Sequence, residues 1–336
     1  MALSLLQRTT GKTRVMAASV RIRFRCNHRW QRVALLFALG CGCTTAAALD
    51  LTLPGVNLGA TSFEDGGGGV GTLLQWSASR FDADRTFDAD GHRRDIDYDR
   101  TLWVHRLHYA YTSRKEWMSG NPGVEVIVPV LDMDLQLGGA ALADSGIGNP
   151  SIGVYLQWNR KTWLDKPFSS RLAMAVSLPW GEYRAGAPLN LGADYFSVQP
   201  YYAFTLRPDE AWELSGRLMY LWNGTSDDPE SRVAARFPEP VDNLQPGQAL
   251  HYNLSVSYAT APRWRVGMGM YHLAQISADR INGQAQPDSK ERILGVGPGV
   301  QWRRHPHRIV TNYYVETMAR NRAAGDQWVL RNLYVF

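Results

Sequence analysis

The chain has 336 residues, with 36 Lys and Arg against 31 Asp and Glu, and three cysteines. All three cysteines (Cys26, Cys41, Cys43) and eight of the basic residues (Arg8, Lys12, Arg14, Arg21, Arg23, Arg25, Arg29, Arg32) fall within the first 48 positions, which hold no acidic residue. The remainder is slightly acidic and free of thiols. That excludes a disulfide framework, a thiolate metal centre and a cysteine nucleophile, and the charge gives no reason to expect nucleic acid.

The basic segment leads into a short apolar run, Val33 to Leu39, and then into small residues ending at Ala46-Ala47-Ala48. A basic region, an apolar stretch too short to span a bilayer and an A-x-A end predict a cleaved secretory signal over residues 1–48. A start at Met16 would shorten its basic region. Ala38-Leu39-Gly40 before Cys41 makes a poor lipid-attachment box. Residues 49–69 follow, with a glycine run from Gly66 to Gly69 after Asp65. They read as a lead-in to the first strand or as a plug folded into a lumen. No Gly-Lys-Ser/Thr follows the glycines, so they do not form a phosphate loop.

From residue 70 onward no window carries a helical stripe or enough apolar residues for a transmembrane helix. Segments of about ten residues alternate instead. Leu172, Met174, Val176, Leu178 and Trp180 share one face of a strand, opposite Arg171, Ala173, Ala175 and Ser177. Leu250, Tyr252, Leu254, Val256 and Tyr258 oppose His251, Asn253, Ser255 and Ser257 in another. Twelve strands are expected, near 70–80, 100–112, 123–135, 150–160, 168–180, 195–207, 211–223, 248–260, 263–275, 292–304, 308–319 and 326–336. The second and third alternate poorly.

Short turns at Pro208-Asp209-Glu210, Ala261-Pro262-Arg263 and His305-Pro306-His307 interleave with long polar loops near 81–99, 181–194, 223–247 and 276–291. Aromatics (Trp158, Trp180, Trp212, Trp222, Trp264, Trp302) tend to end the apolar faces. Together these features predict an all-β fold, a transmembrane antiparallel up-and-down β-barrel of about twelve strands in the bacterial outer membrane. Its turns, and both of its termini, are expected on the periplasmic side. The last strand ends in Tyr334 and Phe336, the pattern expected of a signal read by the barrel assembly machinery.

Several pieces of this sequence resemble the outer-membrane family named for a MetA pathway of phenol degradation, which also takes in sphingosine-responsive barrels. They are Gly146-Ile147-Gly148-Asn149-Pro150, Leu178-Pro179-Trp180-Gly181-Glu182-Tyr183 and Asn190-Leu191-Gly192-Ala193-Asp194-Tyr195. Gln245-Pro246-Gly247-Gln248, Gly295-Val296-Gly297-Pro298 and Asn321-Arg322-Ala323-Ala324-Gly325 follow in order. The resemblance spans about Val56 to Phe336. Asn149 stands where the family often has Asp, and Trp180 where a Thr is common. The resemblance implies a transporter or channel for small hydrophobic or aromatic compounds.

Arg or Lys facing lipid near the midplane costs about 2–4 kcal/mol. The charged and polar partners in the alternating strands are therefore assigned to the lumen: Arg171, Gln199, Glu213, Arg217, His251, Asn253, Arg265, Gln301, Arg303, Glu316 and Arg331. They act there either as a solute-selecting ladder or as pairs that brace the wall. No catalytic, cofactor or metal site is expected, and the partners are outer-membrane lipid and a small solute. His251 with Ser255 and Ser257 has spacings that suit a lumen lining better than a catalytic pair. The acidic stretch Asp82, Asp84, Asp88, Asp90, Asp95, Asp97 and Asp99 reads as a solvated loop. A non-conducting barrel that binds lipid or hydrophobic ligand, and a barrel enzyme acting on lipid, are the rival functions.

Overall fold

The computed structural model describes residues 53–336. The signal segment and its predicted cleavage point lie outside the described residues. Among the described residues no helix is long and apolar enough to cross a membrane, and the fold is a closed antiparallel barrel of twelve strands.

In chain order the strands are β1 (Gly71–Thr86), β2 (Tyr98–Thr112), β3 (Asn121–Leu137), β4 (Ala140–Ile147 and Ser151–Trp163), β5 (Lys166–Ser177) and β6 (Ser197–Leu206). They continue as β7 (Trp212–Asn223), β8 (Ala249–Ala261), β9 (Trp264–Gln275), β10 (Arg292–Arg304), β11 (His307–Arg320) and β12 (Ala323–Val335). Each strand pairs with its sequence neighbours, and β12 closes on β1 through Leu73↔Val335 and its successors. Closure removes the edges, and the ladders satisfy the backbone donors and acceptors that lipid cannot.

The register fixes which side chains point where, because successive residues face opposite ways. On β5, Leu172 and Met174 are more than half exposed on the outer face while Arg171 and Ala173 are buried inside. On β12, Trp328 is exposed while Val329, Arg331 and Leu333 are buried. At the short-turn end Trp212 meets Tyr258 edge-on at 5.1 Å, and Tyr334 meets Phe336 at 4.6 Å. These are ring contacts suited to a membrane interface.

Three features depart from the sequence reading. The β3–β4 hairpin is longer than expected. It turns at Gly138 and Gly139, both at positive φ, where glycine carries no Cβ penalty. Asp82 and Asp84 lie on β1 rather than in a loop, and Asp82 accepts from Arg80 and Thr101 on the outer face. β4 is interrupted at 148–150. Its first stretch pairs with β3, and its second pairs with both β3 and β5.

The chain ahead of β1 also does not stay on the short-turn side. The Leu53 amide donates to Glu291, and Leu53 packs with Leu221, Leu273, Ile293 and Ala319 at the long-loop ends of their strands. Glu64 lies at the opposite end, beside Arg207, Arg303 and Arg308. Residues 53–70 thus thread the lumen from one mouth to the other. The alternation argument concerns strands only, and it is silent on a segment whose partners are all distant in sequence. Eighteen residues reach up to roughly 60 Å when extended, ample to cross a barrel spanning a ~30 Å hydrocarbon layer.

Candidate functional site: the barrel lumen

The lumen is built from the inward residues of all twelve strands and the threaded segment. Gly66 presses against the wall, where a Cβ would sit 2.2 Å from the Phe204 backbone. Its amide donates to Thr205 Oγ1, and its carbonyl accepts from Gln157 Nε2. Asp65 accepts two hydrogen bonds from Arg217, at 2.8 and 2.9 Å, in a fork geometry that fixes direction as well as charge. Higher in the lumen, the Gly59 amide donates to Asn253 Oδ1, while Asn253 Nδ2 donates to Asn57 and Thr61.

The side chains assigned inward fall into three groups. On one wall Arg171 lies over the Tyr155 ring at 4.1 Å, donates to Gln157 and pairs with Glu125 at 3.8 Å. Arg217 lies over the Tyr201 ring at 4.2 Å, and the Tyr201 hydroxyl donates to Glu125. Gln199 contacts His251 at 3.0 Å. At the short-turn end buried Glu213 accepts from the Glu64 amide, from Ser215 and from Ser257, while Arg265 bonds to Ser257 and to the Ala211 carbonyl. Gln301 and Arg303 reach the Glu64 carboxylate, and Arg331 reaches Ser62. Near the long-loop end Glu316 accepts from the Tyr271 hydroxyl and the Gly325 amide.

Glu125, His108, Glu64, Arg207 and Arg308 belong to this network and are absent from the sequence-based assignment. β2 and β3 gave no clean alternation, so His108 and Glu125, 3.1 Å apart, were invisible there. Arg207 and Arg308 flank turns, where period-two reasoning stops. His105 faces outward instead and stacks with Trp76 and Trp103.

The long loops fold together above the wall. Asp279, fully buried, accepts from the Gly247 amide at 2.7 Å and from Gln275 at 2.6 Å. Burial pushes its carboxyl up to about 7, against those two hydrogen bonds, which favour the charged form. Asn149, at the break in β4, is a hub: its Oδ1 accepts from the Gly181 and Ala193 amides and its Nδ2 donates to the Ala193 carbonyl. It ties together the three motifs at 146–150, 178–183 and 190–195. An Asp there has no amide donor for the Ala193 carbonyl.

The rival chemistries find little support in the geometry. Ser257 bonds to Glu213 and Arg265, and His251 to Gln199, so they form no hydrogen-bonded Ser–His pair. Asp88, Asp90 and His92 are the one group among the described residues with ligand atoms close enough for a metal. Asp88 already accepts from the Asp90 and His92 amides, which accounts for their proximity as a turn.

A closed twelve-strand barrel with an apolar exterior, girdles of aromatics and a polar lumen defines a transmembrane β-barrel of the outer-membrane class. The family described as "Putative MetA-pathway of phenol degradation" matches residues 83–331, and the chain belongs to that family. No curated protein matches the sequence. Among solved structures, the COG4313 outer membrane channel from Pseudomonas putida F1 is similar in fold at 17% identity. The likeness covers 80% of this chain and 97% of that one, with a TM-score of 0.69. The transport unit of the autotransporter AIDA-I from Escherichia coli is a looser likeness, at 8% identity over 79% of this chain and 90% of that one, with a TM-score of 0.48.

Proposed function

We propose that this barrel carries small hydrophobic or aromatic compounds across the outer membrane by passive or facilitated diffusion, without enzymatic chemistry. The observation that carries the reading is the threaded segment. It crosses the lumen on side-chain contacts to the wall while the wall closes without it, so a path exists wherever the segment yields. The COG4313 channel from Pseudomonas putida F1, with the same fold, is by its name an outer membrane channel. Arg217 and Gln157 brace the segment at Asp65 and Gly66, with Arg171 holding Gln157, and these inward residues line the path. Tyr334 and Phe336 act earlier, as the signal for the assembly machinery, after export behind a cleaved signal peptide.

Purified folded protein in proteoliposomes is expected to raise the flux of phenol above that of empty vesicles. No flux of any small solute would end the transport reading. A second reading, a barrel that binds hydrophobic ligand without conducting, is favoured by the same segment filling the lumen. It predicts saturable ligand binding with no flux.

A further inference from the structure

The tip of the threaded segment is held in a manner unlike the rest of it. Phe63 is fully buried, in an apolar socket formed by Val310, Leu333 and the partly buried Leu73. Gly299 makes room for the ring, since a Cβ there would meet Phe63 Cζ at 2.9 Å. Beside that socket the Glu64 carboxylate is almost wholly buried and shared by three guanidinium groups. Oε1 accepts from Arg207 at 2.8 Å and Arg303 at 3.3 Å, and Oε2 accepts from Arg308 at 3.4 Å and Gln301 at 2.9 Å.

One carboxylate opposite three arginines leaves the cluster positive even when it is occupied, and far more so when it is vacated. Arg303, Arg207 and Arg308 keep 54%, 33% and 20% of their side chains exposed, so the cluster is reachable by an anion from solvent. Arginine forks also suit a planar, two-oxygen acceptor. Two buried polar atoms at the same place, Gln301 Oε1 and Asn312 Nδ2, have no hydrogen-bond partner. Both side chains already touch the segment through their other amide atom, Gln301 at Glu64 and Asn312 at Ser62.

We propose that the Phe63–Glu64 step occupies a binding site for aromatic carboxylates at the periplasmic end of the lumen, and that a solute of this class takes the site when the segment withdraws. The ring of such a solute replaces Phe63 and its carboxylate replaces Glu64. The segment is thereby both the stopper and the competitor of the ligand. This inference rests on the transport reading for its role but not for its test, which is binding to the full-length protein in detergent.

The probe is benzoate, with benzyl alcohol as the neutral control and acetate as the control lacking a ring. The variant Phe63→Ala with Glu64→Ala vacates both halves of the site and is expected to bind benzoate about tenfold or more tighter than the wild type. Glu64→Ala alone, which keeps the ring in place, is expected to give a smaller gain. Adding Arg308→Gln is expected to return benzoate binding to the wild-type level while leaving benzyl alcohol unchanged. Acetate is expected to bind more weakly than benzoate throughout. Heat-modifiable migration on gels identifies the folded barrel in each preparation. Unchanged benzoate affinity in both vacated variants, or a gain that survives Arg308→Gln, overturns the proposal. Phenol flux from the same preparations is scored separately, so loss of transport and loss of this site are distinguishable outcomes.

Discussion

The wall and the thread obey different rules of stability, although both lie within the same membrane-spanning body. The wall is held by backbone ladders that join all twelve strands and close β12 on β1, so its closure rests on backbone pairing rather than on side chains. Residues 53–70 have few backbone bonds of their own, among them Leu58 to Val56 and Gly67 to Glu64. Their anchors are side chains from the wall: Asn253, Glu213, Thr205, Arg217 and the arginine cluster. A ladder fails cooperatively. A segment docked on side chains can leave while the ladder stays, and that difference is what the proposed transport requires.

Removing the thread is the most drastic way to test that contrast. Deletion of residues 53–68 is expected to raise phenol flux by roughly tenfold or more, since a wide polar lumen conducts once unblocked. The barrel is expected to remain folded by heat-modifiable migration. A barrel that no longer forms would mean the thread belongs to the wall's own stability.

A single anchor is the next target. Arg217→Met strands the Asp65 carboxylate in a buried site, and such a loss typically costs about 3–5 kcal/mol. The cost is expected in docking of the thread rather than in the ladder. A cysteine placed at Asn57 should become reactive to a water-soluble maleimide in this variant, with the unfolding midpoint of the barrel little changed.

The reverse asymmetry is tested from the lipid side. Leu218 points outward and is half exposed. Leu218→Arg is expected to destabilise the barrel in liposomes by about 2–4 kcal/mol while leaving the reactivity of that cysteine unchanged.

The smallest effect concerns the outer loops, which belong to neither region. Asp279 ionises near pH 4 in an unfolded chain but only near 7 when buried. The folded loop keeps a proton that the unfolded loop has lost. The stabilisation is therefore complete below about pH 4 and disappears as pH rises through about 7. Hydrogen exchange at residues 276–291 should quicken across that window. Asp279→Asn, which keeps the Oδ1 acceptor, should flatten the dependence. Identical pH profiles for the two proteins would remove Asp279 as the cause.

The strands were legible because membrane and lumen impose opposite polarity on alternate residues, and that pattern is local. It is plainest in Leu172 against Arg171 and Leu254 against Asn253. It is blurred at β2 and β3, where period two still holds but polar His105 lies on the outer face, stacked between two tryptophans, so polarity does not mark the inner side.

The sequence by itself determined the class of fold and a strand count of about twelve, since both follow from periodicity and turn chemistry. Only the tertiary structure decided what the lumen contains. Glu64 meets Arg303 and Arg308 across more than two hundred residues of chain, and Asp65 meets Arg217 across 152. Barrel closure alone brings such partners together, because long-range ion pairs leave no period in the sequence to be read.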